Sequence, residues 1–303
     1  MKKRVLITGS SGMLGIDLWQ ELSADHSVYG TDLIERKACD IAHFNRCDIT
    51  DRERLIDVVS EIGPEVVIHT AAWTDVDGCE LDKDRAYKIN SQGTDSVAVA
   101  CKKTGSILIY ISTDFVFDGK KTKPYKETDK TNPLSTYGDS KLRGEESIRK
   151  NLKKYFIIRT SWLYGRCGKN FVETVLSKSN TEKDLKVVSD QVGSPTYTKD
   201  LAQAIHALVD RISGEEVAGR GHGIYHVSNS GSVSWFEYAE EILRLAGSKT
   251  RVIPISSEEL GRPARRPAMS VLDNSKFIKF TGHKMRGWRE ALKEYFKRRG
   301  QDA

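Results

Sequence analysis

The sequence predicts an α/β protein: a doubly wound parallel sheet with a second, smaller α/β lobe. Three observations predict it. Short, β-rich apolar runs alternate with helical stretches through the first half. Gly9, Gly12 and Gly15 follow the first of these runs directly. After Trp162, clusters of Gly, Pro and Arg interrupt shorter elements.

The strands expected are Arg4–Thr8, Val28–Thr31, Val66–Thr70, Ile107–Ser112 and Phe156–Thr160. Runs that are apolar throughout suit a sheet covered on both faces. Between them, Leu14–Leu22, Arg52–Ile62, Ser91–Lys103 and Tyr137–Asn151 read as helices. Strand–helix–strand repetition calls for parallel crossovers. No internal repeat or low-complexity linker is evident. The expected division gives residues 1–163 and about 197–228 to a dinucleotide-binding domain. Residues of about 164–196 and 229–303 go to a substrate domain.

Composition narrows the classes. The 303 residues are 38% hydrophobic and 30% charged, which describes a globular protein with a solvated surface. The net charge of +6 is spread along the chain, with no basic stretch interleaved with aromatics, so nucleic acid is not an expected partner. The apolar run near the start ends after Val5–Ile7, too short for a signal peptide or membrane anchor. The cysteines at 39, 47, 79, 101 and 167 are odd in number and lack a Cys-x-x-Cys spacing. They read as reduced thiols of a cytoplasmic protein. The histidines show no metal spacing, and His222 and His226 flank a strand entry, so no metal site is expected.

The glycine spacing has a specific physical use. Gly9 permits a tight turn, Gly12 lets backbone approach a pyrophosphate, and Gly15 lets the helix pack against the strand. Ser11, Met13 and Leu14 complete the loop, and the helix N-terminus offers free N–H groups to an anion. This makes the sheet a Rossmann-type dinucleotide domain. Asp32, at the end of the second strand, is placed for the adenosine ribose hydroxyls, as NADH would require. Arg36 and Lys37 follow and suit the 2′-phosphate of NADPH, so both cofactors stay open. Asp48 and Ile49 are placed to contact adenine. Thr70, Ala71 and Ala72 are small residues where backbone passes under a cofactor.

Ser112, Thr113 and Asp114 sit at the carboxyl end of the fifth strand, the edge where open α/β sheets bind ligands. Tyr137 and Lys141 then fall four apart on one helix face. A Tyr-x-x-x-Lys alone is weak; a dinucleotide loop, a strand-end hydroxyl and the pair together are not. With these motifs the sequence resembles the extended short-chain dehydrogenase/reductase family. The resemblance implies Thr113, Tyr137 and Lys141 as the catalytic set. A free tyrosine titrates near about 10, and a neighbouring ammonium is expected to lower that value.

The segments RTSWLYG, DQVGSPT, YHVSNSGSVSWFEYAEEI and RPARRPAMSVLDNSKF are similar to those of the dTDP-4-dehydrorhamnose reductase family. That implies reduction of the 4-keto group of dTDP-4-dehydro-L-rhamnose by NADPH or NADH, with Tyr137 as proton donor. The implied partner is a dTDP-sugar, with no nucleic acid and no membrane. Trp162 reads as a stacking platform or a core residue. Asn170 and Phe171 read as pocket lining or plain packing. Arg262, Arg265 and Arg266, spaced by prolines, suit a diphosphate or form a solvated turn. Trp235, Phe236, Tyr238 and Ile242 read as a core-facing helix start capped by Ser234. Trp73 and Phe115 depart from the His and Tyr that relatives often carry. Some members dimerise around a divalent metal; no ligand cluster for one is evident, and a homodimer stays open. The competing readings are an epimerase of the same fold and a non-catalytic subunit resembling the regulatory β subunit of methionine adenosyltransferase. The Asp-Glu pair that a dehydratase needs is missing at Asp114-Phe115.

Overall fold

The structure is a computed structural model that describes residues 2–35, 43–212 and 221–299. Arg36, Lys37 and Cys39 lie outside the described residues. The first half contributes β1 (Arg4–Thr8), β2 (Ser27–Asp32), β3 (Phe44–Arg46), β4 (Val66–His69), β5 (Ile107–Thr113) and β6 (Tyr155–Thr160). Its helices are α1 (Met13–Leu22), α2 (Arg52–Ile62), α3 (Val76–Leu81), α4 (Lys83–Ala86), α5 (Thr94–Thr104) and α6 (Thr136–Asn151). The expected elements are all present, with ends moved by at most one residue. The exception is the start of α5: Ser91 belongs to a π-helical turn, Tyr87–Gly93, that runs into it.

The second half adds β7 (Leu163–Tyr164), β8 (Asp184–Val188), β9 (Val192–Gly193), β10 (Thr196–Tyr197), β11 (Gly223–His226), β12 (Val233–Ser234) and β13 (Arg251–Ile255). Its helices are α7 (Phe171–Ser179), α8 (Thr198–Ile212), α9 (Trp235–Ala246), α10 (Ser257–Leu260), α11 (Ser275–Thr281) and α12 (Trp288–Arg299). Seven strands form one sheet in the order β11-β6-β5-β4-β1-β2-β3. Every pairing in it is parallel. The order reverses between β1 and β4, so the loops leaving those two strands diverge and open a crevice.

Each central strand is buried on both faces, and the strand period divides its residues between two cores. Val5 and Ile7 face one core with Leu18 of α1 and Leu201 and Ile205 of α8. Leu6 faces the other with Leu55 of α2, Val97 of α5 and Ile148 of α6. A third cluster lies apart from the sheet, where Tyr164, Tyr197, Tyr238, Trp288 and Tyr295 pack with Val172 and Ile242. The short β7–β10, β9–β12 and β8–β13 pairs belong to this second lobe. No helix among the described residues is long and apolar enough to cross a membrane. The four described cysteines are free thiols.

Gly9 has φ +74°, and a Cβ on it would lie 2.6 Å from the Ala71 nitrogen, so the loops after β1 and β4 touch through bare backbone. A Cβ on Gly15 would overlap the Gly9 carbonyl oxygen and lie 2.7 Å from the Ser10 Cα. Gly15→Ala is therefore expected to lower stability by about 1–3 kcal/mol, the usual range for overpacking a tight contact. Urea unfolding measures it, and an unchanged midpoint would mean that the loop retreats freely.

Candidate active site

A cavity of about 1200 Å³ opens at the carboxyl ends of β1, β4 and β5, with the second lobe as its far wall. Gly9, Ser11, Gly12, Met13 and Leu14 line one end of it, and Asp32, Asp48 and Ile49 lie beside them. Thr70, Ala71 and Ala72 form its floor, next to Ser112, Thr113, Asp114, Tyr137 and Lys141. Trp162, Phe171, Arg262 and Arg266 line the side made by the second lobe. Gly15 stays behind the loop, where its role is packing.

The loop end fits a dinucleotide. Gly12 caps α1 without a side-chain hydrogen bond, leaving the helix N–H groups for an anion. A Cβ at Gly12 would lie 3.1 Å from the Gly9 oxygen, so any larger residue tightens the cradle. The buried hydroxyls of Ser10 and Ser11 have no protein partner. Asp32 accepts from the Ser11 N–H at 3.0 Å and the Leu33 N–H at 2.7 Å, which fixes a carboxylate at the end of β2.

Tyr137 stands in the first turn of α6. The Ser135 side chain caps that helix by accepting from the Gly138 N–H at 3.3 Å. Gly138 lies so close to the Phe115 carbonyl that a Cβ would overlap it, which presses α6 onto the turn after β5. The Phe115 ring stands edge-on to Tyr137 at 5.6 Å, so this departure from the family pattern supports the phenol by packing. Lys141, one turn along and 3% exposed, donates from Nζ to the Ile111 carbonyl at 2.7 Å. Its ammonium also sits 4.2 Å from the centre of the Tyr110 ring.

Burial governs protonation here. It lowers the Lys141 pKa to about 7, partly countered by Glu145. It raises Tyr137 above its ordinary value, against a hydrogen bond with Thr113 that pulls the other way. The sequence-based expectation that Lys141 lowers the phenol is corrected: Lys141 is turned to the Ile111 carbonyl, and desolvation of the buried ring dominates. Asp114, 1% exposed, is lifted to about 7 by burial despite hydrogen bonds that favour its charged form. His69, clasped between Thr8 and Thr94 hydroxyls at 2.7 and 3.1 Å, is pushed down to about 3 by burial.

Several expected ligand residues have other partners. The Ser112 hydroxyl donates to Glu145 at 2.6 Å, and Arg159 grips the same carboxylate with bonds of 2.9 and 2.7 Å. Asn170 caps α7, accepting from the Glu173 N–H at 3.1 Å and donating to the Gly165 carbonyl at 2.9 Å. The cavity lining includes its neighbour Phe171 but not Asn170, because both ends of its amide serve the helix start. Arg266 binds Asp77 with two bonds of 3.0 and 2.9 Å, and Arg262 adds a third at 2.8 Å. Burial alone would raise Asp77, but these arginines and the Ala264 N–H hold it at about 2.

Trp162 has φ 48° and stacks on Trp235, with ring centroids 3.5 Å apart and planes 6° off parallel. A Cβ on Gly193 would overlap the Trp162 ring, so the ring packs on bare backbone there. Trp235 packs against the core of the second lobe, as expected, and also lines the cavity; Tyr238 and Ile242 are buried in that core. The Ser234 cap is present, as a capping box with Glu237. Trp73 lines the cavity under the Arg85 guanidinium, 4.5 Å from the ring centre. The sequence reading missed Asn90, whose amide joins the Trp73 N–H, the Trp73 carbonyl and the Ser140 hydroxyl at 2.8, 3.0 and 3.1 Å. It also missed Asp77, Glu145 and Arg159. Glu145 carried one signal, since it lies four residues beyond Lys141 on the same face.

Comparison with known proteins places this architecture. The family model described as "RmlD substrate binding domain" matches residues 2–300. The spore coat polysaccharide biosynthesis protein SpsK of Bacillus subtilis is 42% identical over 98% of each chain. A dTDP-4-dehydrorhamnose reductase of Streptomyces griseus is 39% identical, over 97% of this chain and 93% of that one. The solved structure of dTDP-4-dehydrorhamnose reductase from Bacillus anthracis, in complex with NADP, is 41% identical with a TM-score of 0.88. It covers 98% of this chain and 100% of that one. A model match from end to end, a shared sheet and close relatives along the whole chain make this protein a member of the RmlD substrate-binding-domain family.

Proposed function

We propose that this protein reduces the 4-keto group of dTDP-4-dehydro-L-rhamnose to dTDP-L-rhamnose, using NADPH or NADH, with Tyr137 as the proton donor. The observation that carries the reading is convergence. Tyr137, Lys141 and Thr113 line the same cavity as Gly9, Gly12 and Leu14 of the glycine loop. The names of the relatives favour a reductase over an epimerase or a regulatory subunit. The NADP in the Bacillus anthracis relative supports NADPH, while the fixed carboxylate of Asp32 suits the ribose hydroxyls of NADH.

When bound, the reduced nicotinamide supplies the hydride. The chain supplies position and protons. A phenol raised by burial stays protonated at neutral pH, as a donor to a new alkoxide must. Its hydrogen bond with Thr113 aims it toward the end of β5. Asp114, as a neutral acid below about pH 7, offers a second hydrogen bond to the sugar. Arg262 and Arg266 are assigned to the diphosphate, which would replace or share Asp77. The stacked Trp162–Trp235 pair is assigned to the flat face of the base or sugar. The expected division, residues 1–163 and about 197–228 for the dinucleotide and the rest for the sugar, is part of this reading. So is a cytoplasmic location, which the buried free thiols of Cys47, Cys79 and Cys101 support.

The assay follows loss of the reduced-nicotinamide absorbance with a dTDP-4-keto-6-deoxy sugar. One cofactor consumed per sugar is expected, and none would indicate an epimerase. Tyr137→Phe is expected to lower kcat by about 10²–10⁴-fold, the usual worth of positioned proton transfer, with cofactor binding retained. An undiminished rate would remove Tyr137 from the mechanism.

Lys141 yields a pH prediction. Its folded pKa of about 7 lies below the ordinary 10.5, so the unfolded chain holds more protons between those values. Stability from this residue therefore rises with pH across that window, and the cost of the buried charge is largest below it. Lys141→Met is expected to raise the thermal midpoint at pH 6 more than at pH 9, while lowering activity. Equal midpoint changes at both pH values would contradict the depressed pKa.

A further inference from the structure

At the edge of the sheet opposite the cavity, α1, the turn into β2 and α8 gather a cluster that the reductase reading does not use. His26 precedes β2, and His206 and Asp210 stand one turn apart on α8. His26 is 5% exposed, and its Nε2 has no hydrogen-bond partner. The His206 Nε2 is buried and equally without one. Leaving two imidazole nitrogens so is unfavourable unless something else meets them.

The distances say what would. The His206 Nε2 lies 3.4 Å from Asp25 Oδ2 and 3.7 Å from Asp210 Oδ2. The His26 Nε2 lies 3.7 Å from Asp210 Oδ1. One donor atom each from His26, His206 and Asp210 falls within 4.8 Å of the others. Ligands bound at about 2.0–2.2 Å around a tetrahedral zinc ion are separated by about 3.3–3.6 Å. His26, His206 and Asp210 would draw together to reach that spacing, and Asp25, 3.4 Å from His206 and outside that group of three, would swing in with its exposed side chain.

We propose that His26, His206 and Asp210, with Asp25 as the fourth ligand, form a structural site for a zinc-class divalent transition metal. Two carboxylates balance the ion's charge, and two imidazoles select zinc, nickel or copper over magnesium or calcium, which take six or more oxygens. Glu21 Oε1 lies 3.4 Å from the His206 Nδ1, where it accepts that N–H and keeps Nε2 free for the ion. Binding through His26 puts a proton on its Nδ1 and gives up a contact with the Lys3 N–H that is already long at 3.5 Å. The ion would tie α8 to the turn between α1 and β2, far along the chain and away from the catalytic edge.

The test uses tag-free, chelator-stripped full-length protein titrated with zinc chloride by calorimetry, with thermal unfolding in parallel. One equivalent is expected to bind and raise the melting midpoint. Cobalt(II) in its place is expected to give the visible absorption of a four-coordinate nitrogen–oxygen site. Asp210→Asn and His206→Gln are expected to weaken binding by about tenfold or more and to remove the thermal shift. Both variants should melt like the wild type without metal and retain NADPH oxidation. Absence of binding at micromolar zinc, or equal binding in both variants, would overturn the site and leave the cluster as ordinary His–Asp ion pairs.

Discussion

The buried Glu145–Arg159 pair is the interaction on which the geometry of the proposed catalytic residues depends. Glu145 is 0% and Arg159 2% exposed, and two bonds of 2.9 and 2.7 Å join them. Taking both charges out of water costs several kcal/mol, on the order of what their attraction returns, so net stability is not the reason to have them. What the pair provides is register. It ties α6 to β6, while the Ser112 hydroxyl ties the same carboxylate to β5. Tyr137, Lys141 and Glu145 then follow at four-residue intervals on one helix face. With Glu145 fixed, Lys141 meets the Ile111 carbonyl, and Tyr137 meets the end of β5.

The other wall of the cavity is organised by charge in a different way. Asp77, on the short helix after β4, holds Arg262 and Arg266 together. Two guanidinium groups gathered on one carboxylate are the arrangement proposed above to receive a diphosphate. The stacked Trp162–Trp235 pair adds a flat apolar surface beside them. The arginine pair, the glycine loop and the buried phenol thus line one cavity.

Much of this was legible in the sequence, for identifiable reasons. The central strands announce themselves because both faces are buried, so their runs are apolar without alternation. The glycine loop and the Tyr–Lys spacing are local patterns tied to backbone geometry. Contacts between distant segments were not legible. Asp77 looks like any acid at a helix start, and nothing near it in sequence points to residues 262–266. Asn90 lies in a π-helical turn that no period predicts. Trp235 belongs to an amphipathic helix start, and its turn toward the cavity depends on Trp162. Asn170, read as pocket lining or plain packing, also carries a local signal: an Asn three residues before an acid is a helix cap. The expected effect of Lys141 on Tyr137 failed because burial outweighs a neighbour that points elsewhere.

The most direct measurement is the single-turnover rate of NADPH oxidation in Glu145→Gln, with cofactor affinity and fold checked alongside. If Glu145 seats the helix that carries Tyr137 and Lys141, the rate falls by about tenfold to a hundredfold while cofactor affinity holds within about twofold. A folded variant that turns over at the wild-type rate would contradict the account.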